Sequence, residues 1–314
     1  MITFRPYRNS DPPALAEIWR YSPATRGLPD RTSVSLLDDF VLSKPYFDRN
    51  GLIIAMDDNR PVGFVHAAFG PNDTLDDLDR RRGVIAMLMT VEHDDDDEIG
   101  AELLGRGEDY LSTTAEEIFA IGVGEFSPFY LGLYGGGDLC GVLQSDEWRQ
   151  RIFRDAGYDE IDRVKIFQRQ LAGFRPPVDR ASVSLRRTSS IHRDIDAPAD
   201  NWWHGCTRGN LELIEYRLES QGDNTISAKV AFWNMEPLLA VWGHCTLGMS
   251  GPVVSVEKDR DQLAQFLVAE AMKHLSAQGA TEIEGQAMQG DTAAMKLFAQ
   301  LGFHQIDTGT VLRK

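Results

Sequence analysis

Two stretches of the chain share one plan, and this recurrence constrains the fold more than any other feature. The first, Ile85–Leu111, begins as an apolar run, passes through a polar loop and resumes with the spacing of an amphipathic helix. The second, Pro252–Leu275, repeats strand, charged loop and helix. An apolar run of strand length followed by apolar residues at helical spacing predicts a buried strand and a helix that packs beside it. Two copies of the plan predict a tandem protein.

Each copy is followed by a strand-like segment and then by a helix that ends in glycine and an aromatic residue. These closing segments are Glu147–Tyr158 and Asp291–Phe303. The order of elements resembles the GCN5-related N-acetyltransferase (GNAT) superfamily. DTAAMKLFAQLGF in the second closing segment is similar to that family's Asn-x-x-Ala-x-x-x-Tyr-x-x-x-Gly-Phe signature, and IGAELL at Ile99–Leu104 resembles the helix entry of its phosphate-binding loop. The resemblance implies an α/β fold with mixed sheets, as two tandem acyl-CoA N-acyltransferase domains over residues 1–174 and 175–314.

The two copies depart from the family's pattern in different ways. Six of the seven residues of Glu92–Glu98 are acidic, so the first loop should repel phosphate. The second loop has no glycine, but Lys258 and Arg260 supply positive charge, which Asp259 and Asp261 partly cancel. The tyrosine that often serves as general acid in the closing helix is replaced by phenylalanine in both copies, at Phe153 and Phe298.

The resemblance implies that acetyl-CoA is the co-substrate. Its phosphates would bind backbone N–H groups at the start of a helix. Its thioester carbonyl would accept hydrogen bonds from backbone N–H groups at the end of the fourth strand. The residues predicted to bind it are Leu88, Thr90, Ile99 and Gly100 in the first copy, and Val254, Val256, Arg260, Leu263 and Ala264 in the second.

Acetyl transfer also needs a side chain that deprotonates the amine. Glu125 and Glu284 are the predicted bases, with Glu92, Glu257 and Glu282 as alternatives, and Tyr134 or Tyr130 is a replacement general acid. The tyrosines lie in Ser127–Ser145, a segment rich in glycine and aromatic residues, for which an ordered loop over a sheet edge is the alternative interpretation.

Length and charge limit the remaining function classes. The 314 residues suffice for two domains, and the net charge of −16 argues against nucleic acid or an anionic membrane as partner. A small-molecule or peptide amine is compatible with this charge. The N-terminus lacks the features of a signal peptide, and no apolar run reaches the length that spans a bilayer, so a cytoplasmic protein is expected.

The sequence lacks the motifs of metal sites and of other common enzyme classes. The three cysteines lack zinc spacing, and the acidic run lacks the ligand spacing of a calcium loop, so no metal is predicted. No Gly-x-Ser-x-Gly elbow or P-loop occurs. Arg175–Pro177 is the predicted linker, Ala181–Arg187 the first strand of the second half, and Trp242, His244 and Cys245 are interpreted as packing residues. The alternative function is a degenerate pair that binds a ligand or dimerises, and a homodimer is compatible with either reading.

Overall fold

The chain, in a computed structural model that describes residues 1–23, 25, 26, 28, 32–195, 197–235 and 246–314, forms two compact units. Unit 1 consists of Met1–Val164, Ala199–Asn210 and Thr308–Lys314. Unit 2 consists of Lys165–Pro198 and Leu211–Asp307. Each unit draws on more than one stretch of the chain, and the domain boundary between residues 174 and 175 stays a prediction.

The elements alternate along the chain as the sequence predicts for an α/β protein. The strands are β1 (Ile2–Pro6), β2 (Leu52–Asp57), β3 (Arg60–Pro71), β4 (Leu78–Thr90), β5 (Glu117–Ala120), β6 (Val142–Leu143), β7 (Asp159–Gln170), β8 (Ser189–Ile195), β9 (Leu213–Ser220), β10 (Ile226–Asn234), β11 (Thr246–Met249), β12 (Val253–Val254), β13 (Glu282–Met288) and β14 (His304–Arg313). The described helices are α1 (Pro12–Tyr21), α2 (Val34–Leu37), α3 (Asp96–Leu111), α4 (Glu147–Asp155), α5 (Arg180–Thr188), α6 (Trp202–Arg208), α7 (Arg260–Ala277) and α8 (Thr292–Gln300), with a π-helical turn at Asp38–Leu42.

The sheet of unit 1 runs in the order β1-β2-β3-β4-β5. β3 and the second half of β4 are buried, as their apolar sequences predict, and α3 packs against both strands. β4 and β5 are parallel, with a register from Arg82 opposite Glu117 to Ile85 opposite Ala120. β4 continues to Thr90 after β5 has ended, so the two strands part at this point.

In unit 2, β13, β11, β10, β9 and β8 lie side by side in that order. β11 runs parallel to β13, and their register ends with Met249 opposite Gly285. The chain then returns as β12, which pairs with β10. The strands therefore part in unit 2 as well. α7 covers the sheet with the apolar residues that its helical spacing predicts: Leu263, Phe266, Leu267, Ala271 and Leu275 are all buried.

Two predictions of local structure were wrong. Ala181–Arg187, expected as a strand, lies in helix α5, because Asp179 and Ser182 form a reciprocal capping box at the helix start. Pro71–Arg82, expected as a charged connector, instead contributes to the ends of β3 and β4. Trp242, His244 and Cys245 lie outside the described residues. No helix in the described ranges is long and apolar enough to cross a membrane.

Candidate functional site

In unit 1 a buried side-chain network occupies the place where β4 and β5 part. The Arg149 side chain, 5% exposed, donates from Nε to the carbonyl oxygen of Leu88 at 2.7 Å and pairs through Nη1 with the Asp146 carboxylate at 2.5 Å. The Tyr134 hydroxyl donates to the same carboxylate at 3.0 Å and accepts from the Leu143 N–H at 3.1 Å. The buried polar groups of this network therefore have hydrogen-bond partners within the unit.

The start of α3 in unit 1 is covered by side chains of α4. The Trp148 ring packs on Gly100 so closely that an added Cβ there would lie 2.6 Å from the ring. The Trp148 indole donates to Asp97 at 3.0 Å, and Arg151 pairs with the same carboxylate at 2.5 Å. The acidic residue therefore has positive and polar partners, and the surface of Gly100 is not available to a ligand.

The other cofactor residues predicted in the first copy lie in the same closed region. Leu88 and Ile99 are buried, and the Leu88 carbonyl is used by Arg149. The carbonyl of Thr90 accepts from the Ser22 hydroxyl at 2.7 Å. The four positions lie close along one strand and helix, as predicted, but none presents an open surface.

The two catalytic residues predicted in unit 1 lie in different environments. Burial raises the pKa of Tyr134 well above its usual value, so this hydroxyl stays protonated inside the network. Glu125 is half exposed, and its carboxylate binds His204 Nε2 at 2.6 Å. The hydrogen bond from His204 lowers the pKa of Glu125, which makes this carboxylate a weaker base.

α6 supplies partners for the Glu125 region that sequence reasoning did not find. Trp203 donates from its indole to the Glu125 carbonyl at 2.7 Å, and Arg208 approaches Asp138 at 4.0 Å. Burial raises the pKa of Asp138 to about 6. The only sequence signal was the run of Trp202, Trp203 and His204, which does not reveal which carboxylates it will contact.

Unit 2 has a cleft at the start of α7, at the position where Trp148 covers Gly100 in unit 1. Its volume is about 180 Å³, and Val254, Arg260 and Ala264 line it, three of the five cofactor residues predicted in the second copy. α8 forms the opposite side with Ala293 and Lys296. The cleft therefore lies beside the parting of β11 and β13, at the start of one helix and along another.

The cleft lining carries two cations, Arg260 and Lys296, and two carboxylates, Asp261 and Asp291, and the backbone geometry at the start of α7 favours an anion. Lys296 Nζ and Asp261 Oδ2 are 2.6 Å apart, while Arg260 makes no ion pair within the described part of the chain. The residue that precedes α7, Asp259, has a left-handed backbone with φ of 58° and makes no side-chain hydrogen bond to the helix. The first backbone N–H groups of α7 thus lack a side-chain cap, and such groups with the helix dipole favour negative charge.

The remaining residues predicted in the second copy lie apart from the cleft lining. Leu263 is in the core, and Val256 is exposed. Glu284 is buried on β13, with Gly248 of β11 opposite it. Its neighbour Glu282, the alternative base, accepts hydrogen bonds from Gln168 at 2.7 Å and from Thr246 at 3.2 Å, which gives it structural partners.

The closing helix of unit 2 carries an aromatic contact where the family has its tyrosine. Phe298 stacks on Phe167 with ring centroids 4.6 Å apart and is 2% exposed. Its ring therefore packs in the core and has no hydroxyl that could act as a general acid. Within the described ranges, no group of three or more histidine, cysteine, aspartate or glutamate residues is arranged to hold a metal ion.

Known structures share this arrangement at low sequence identity. A tandem GNAT protein from the clavulanic acid biosynthesis pathway matches with a TM-score of 0.70 and 11% identity, over 100% of this chain and 98% of that one. A GNAT from Sphaerobacter thermophilus matches with a TM-score of 0.62 and 12% identity, over 100% of this chain and 95% of that one. No protein-family model and no curated protein matches the chain.

A GCN5-related glucosamine N-acetyltransferase region in a fungal multi-domain GH3 β-N-acetylglucosaminidase also matches, with a TM-score of 0.66 and 15% identity. The match covers 100% of this chain and 38% of that protein. At such identities the likeness concerns the fold. Together with the two strand partings and the duplicated strand–helix plan, it confirms the fold prediction: the chain has the fold of tandem GNAT proteins.

Proposed function

We propose that the chain is an N-acetyltransferase whose acetyl-CoA site is the cleft of unit 2. The observation that carries this proposal is the open cleft at the start of α7, lined by Arg260 and Lys296 beside the parting of β11 and β13. The tandem GNAT fold supports it, since the family's activity is acetyl transfer to amines.

The residues of the cleft fit the cofactor. Arg260, Lys296 and the uncapped start of α7 would hold its phosphates, and the small side chain of Ala264 leaves room beside the helix. Bound acetyl-CoA would supply the thioester whose acetyl group is transferred. The chain's own part is to bind the phosphates, orient the cofactor along the strand end, and accept a proton from the amine.

Glu284 is our candidate for the proton acceptor. Glu282 and Glu284 are buried on the same face of β13, and Glu284 lies nearer the end of the β11–β13 register, with Gly248 opposite it. The acceptor is proposed to be a small-molecule or peptide amine, because a chain of net charge −16 attracts cations.

Unit 1 has a different role in this proposal. Arg149, Asp146 and Tyr134 fill the strand parting, and Trp148 covers Gly100. The cleft of about 430 Å³ that remains between α3 and α4 is lined by four carboxylates and two cations, so unit 1 would serve as a scaffold that does not bind the cofactor. A chain that binds a ligand without catalysis is the second candidate. It is supported by the ring stack of Phe298 on Phe167, where the family's general acid would lie.

Calorimetric titration with acetyl-CoA at neutral pH and moderate salt tests the proposal. We expect micromolar binding of one acetyl-CoA per chain, at least tenfold weaker in Arg260→Glu, because the charge beside the phosphates is reversed. Lys273→Glu makes the same charge change at an exposed position of α7 outside the cleft and serves as the matched control. Absence of binding to the wild type contradicts the proposal.

Turnover against a panel of amines then separates the two candidates. If acetyl-CoA binds and thioester is consumed, Glu284→Gln should lower kcat while binding of acetyl-CoA is kept. If acetyl-CoA binds and no amine in the panel is acetylated, the binding-only reading is favoured.

A further inference from the structure

The cleft of unit 2 contains an ion pair that its own ligand would have to break. Lys296 on α8 and Asp261 on α7 both line the cleft, and their charged atoms are 2.6 Å apart. About half of each side chain is exposed, 56% for Lys296 and 49% for Asp261. Water screens an ion pair that is so exposed, so the pair is weak and easily exchanged for another partner.

We propose that Asp261 is an internal competitor for the anion that binds this cleft, and that Lys296 exchanges the Asp261 carboxylate for a phosphate group of the ligand. This proposal rests on the proposed function for the identity of the ligand. It adds a residue role that the sequence reasoning did not assign, since Lys296 was not among the predicted cofactor residues.

The surrounding charges favour an exchange over a permanent pair. Arg260, next to Asp261 in sequence, makes no ion pair within the described residues, so the cleft keeps one cation outside an ion pair while Lys296 is engaged. The other carboxylate of the lining, Asp291, accepts the Ala294 N–H at 2.9 Å as the cap of α8. Asp261 is therefore the carboxylate of the lining that is paired with a cation and can be displaced.

The exchange has a measurable signature. An incoming phosphate replaces one carboxylate at Lys296, so removing that carboxylate should tighten binding, and removing the lysine should weaken it. The gain from removing the carboxylate should depend on the lysine, because the two residues act through one contact. A carboxylate that only repels phosphate would give the same gain whether or not Lys296 is present.

The experiment is a double-mutant cycle by calorimetric titration with CoA, using the wild type, Asp261→Asn, Lys296→Gln and the double variant. We expect Asp261→Asn to bind about threefold to tenfold more tightly and Lys296→Gln about fivefold more weakly. In the Lys296→Gln background the Asp261→Asn gain should fall below about twofold. Asp194→Asn and Lys273→Gln, which remove the same charges outside the cleft lining, are the controls.

The outcomes separate this proposal from the proposed function. If CoA binds but the Asp261→Asn gain is absent, or equal in both backgrounds, the exchange is overturned while the cleft remains a CoA site. If CoA binds no variant, the proposed function fails, and the same cycle is repeated with inorganic pyrophosphate. The exchange is supported if pyrophosphate binds and the Asp261→Asn gain depends on Lys296. It is overturned if this gain does not depend on Lys296, or if pyrophosphate does not bind.

Discussion

The closing helices of the two units begin alike and then differ at two positions next to the strand parting and the start of the preceding helix. Asp146 caps α4 by accepting the Arg149 N–H at 3.2 Å, and Asp291 caps α8 by accepting the Ala294 N–H at 2.9 Å. Counted from these caps, Trp148 corresponds to Ala293 and Arg149 to Ala294. In unit 1, Trp148 covers Gly100 and Arg149 binds the Leu88 carbonyl, whereas in unit 2 the two alanines line the cleft.

The difference shows how one supersecondary plan can serve as a scaffold in one copy and as a candidate site in the other. Where one strand extends beyond its neighbour, its backbone carbonyls need other hydrogen-bond donors. In unit 1 the Arg149 side chain supplies a donor to Leu88, at the cost of burying an ion pair. In unit 2 the alanines leave the space free, and a ligand can use it.

The largest effect that tests this comparison should come from Arg149→Ala, which places the unit 2 residue in unit 1. It leaves the Asp146 charge buried without its cation and the Leu88 carbonyl without its donor. We expect a loss of about 3–5 kcal/mol in the free energy of unfolding, measured by urea denaturation.

Two further variants make that result specific. Arg151→Ala breaks a pair with Asp97 whose side chains are about half exposed and should cost less than about 1 kcal/mol. Adding Asp146→Asn to Arg149→Ala should recover part of the loss, because no buried charge remains unpaired. An Arg149→Ala variant as stable as Arg151→Ala would mean that the network does not hold unit 1 closed.

The reciprocal change, Ala293→Trp, should close unit 2. The indole would occupy space along α8 that lines the cleft, so we expect acetyl-CoA to bind about 30-fold more weakly, or roughly 2 kcal/mol. Ala299→Trp adds the same ring at an exposed position of α8 outside the lining and should bind as the wild type does. Unchanged binding by Ala293→Trp would place the cofactor elsewhere.

The sequence was enough to predict the fold because its signals are local. The apolar run of β4 and the inward spacing of α7 each lie within one short segment, and both were confirmed. The strand prediction over Ala181–Arg187 failed because its residues fit a strand nearly as well as a helix. The capping box of Asp179 and Ser182 is a local signal that stabilises the helix at this place.

The state of each site could not be predicted, because it depends on contacts between distant residues. Trp148 meets Gly100 and Arg149 meets Leu88 only after the sheet has formed. The acidic loop of unit 1 suggested repulsion as the reason why phosphate would not bind. The cover of Gly100 by Trp148 is a contact between distant residues that the sequence did not indicate.

The smallest predicted effect compares a tyrosine–histidine pair in each unit. In unit 1, His66 Nδ1 lies 3.0 Å from the Tyr130 hydroxyl, and burial lowers the pKa of this fully buried histidine to about 3. In unit 2, His274 Nδ1 lies 2.7 Å from the Tyr216 hydroxyl, but His274 is exposed to solvent. The same hydrogen bond thus lies in two dielectric environments.

Of these two histidines, His66 should therefore contribute more to the loss of stability in acid. Unfolding restores the pKa of His66 to about 6.5. Between this pH and about 3 the unfolded chain binds a proton at His66 that the folded chain does not bind, so the free energy of unfolding falls as the pH is lowered. At pH 5.5 the loss attributable to His66 is about 1.4 kcal/mol. Urea denaturation at pH 7.5 and 5.5 should show this difference between the wild type and His66→Gln. Burial also lowers the pKa of His274, but this side chain is exposed, so substituting His274→Gln should change the pH dependence less. Equal changes in the two variants would show that burial does not distinguish the two pairs.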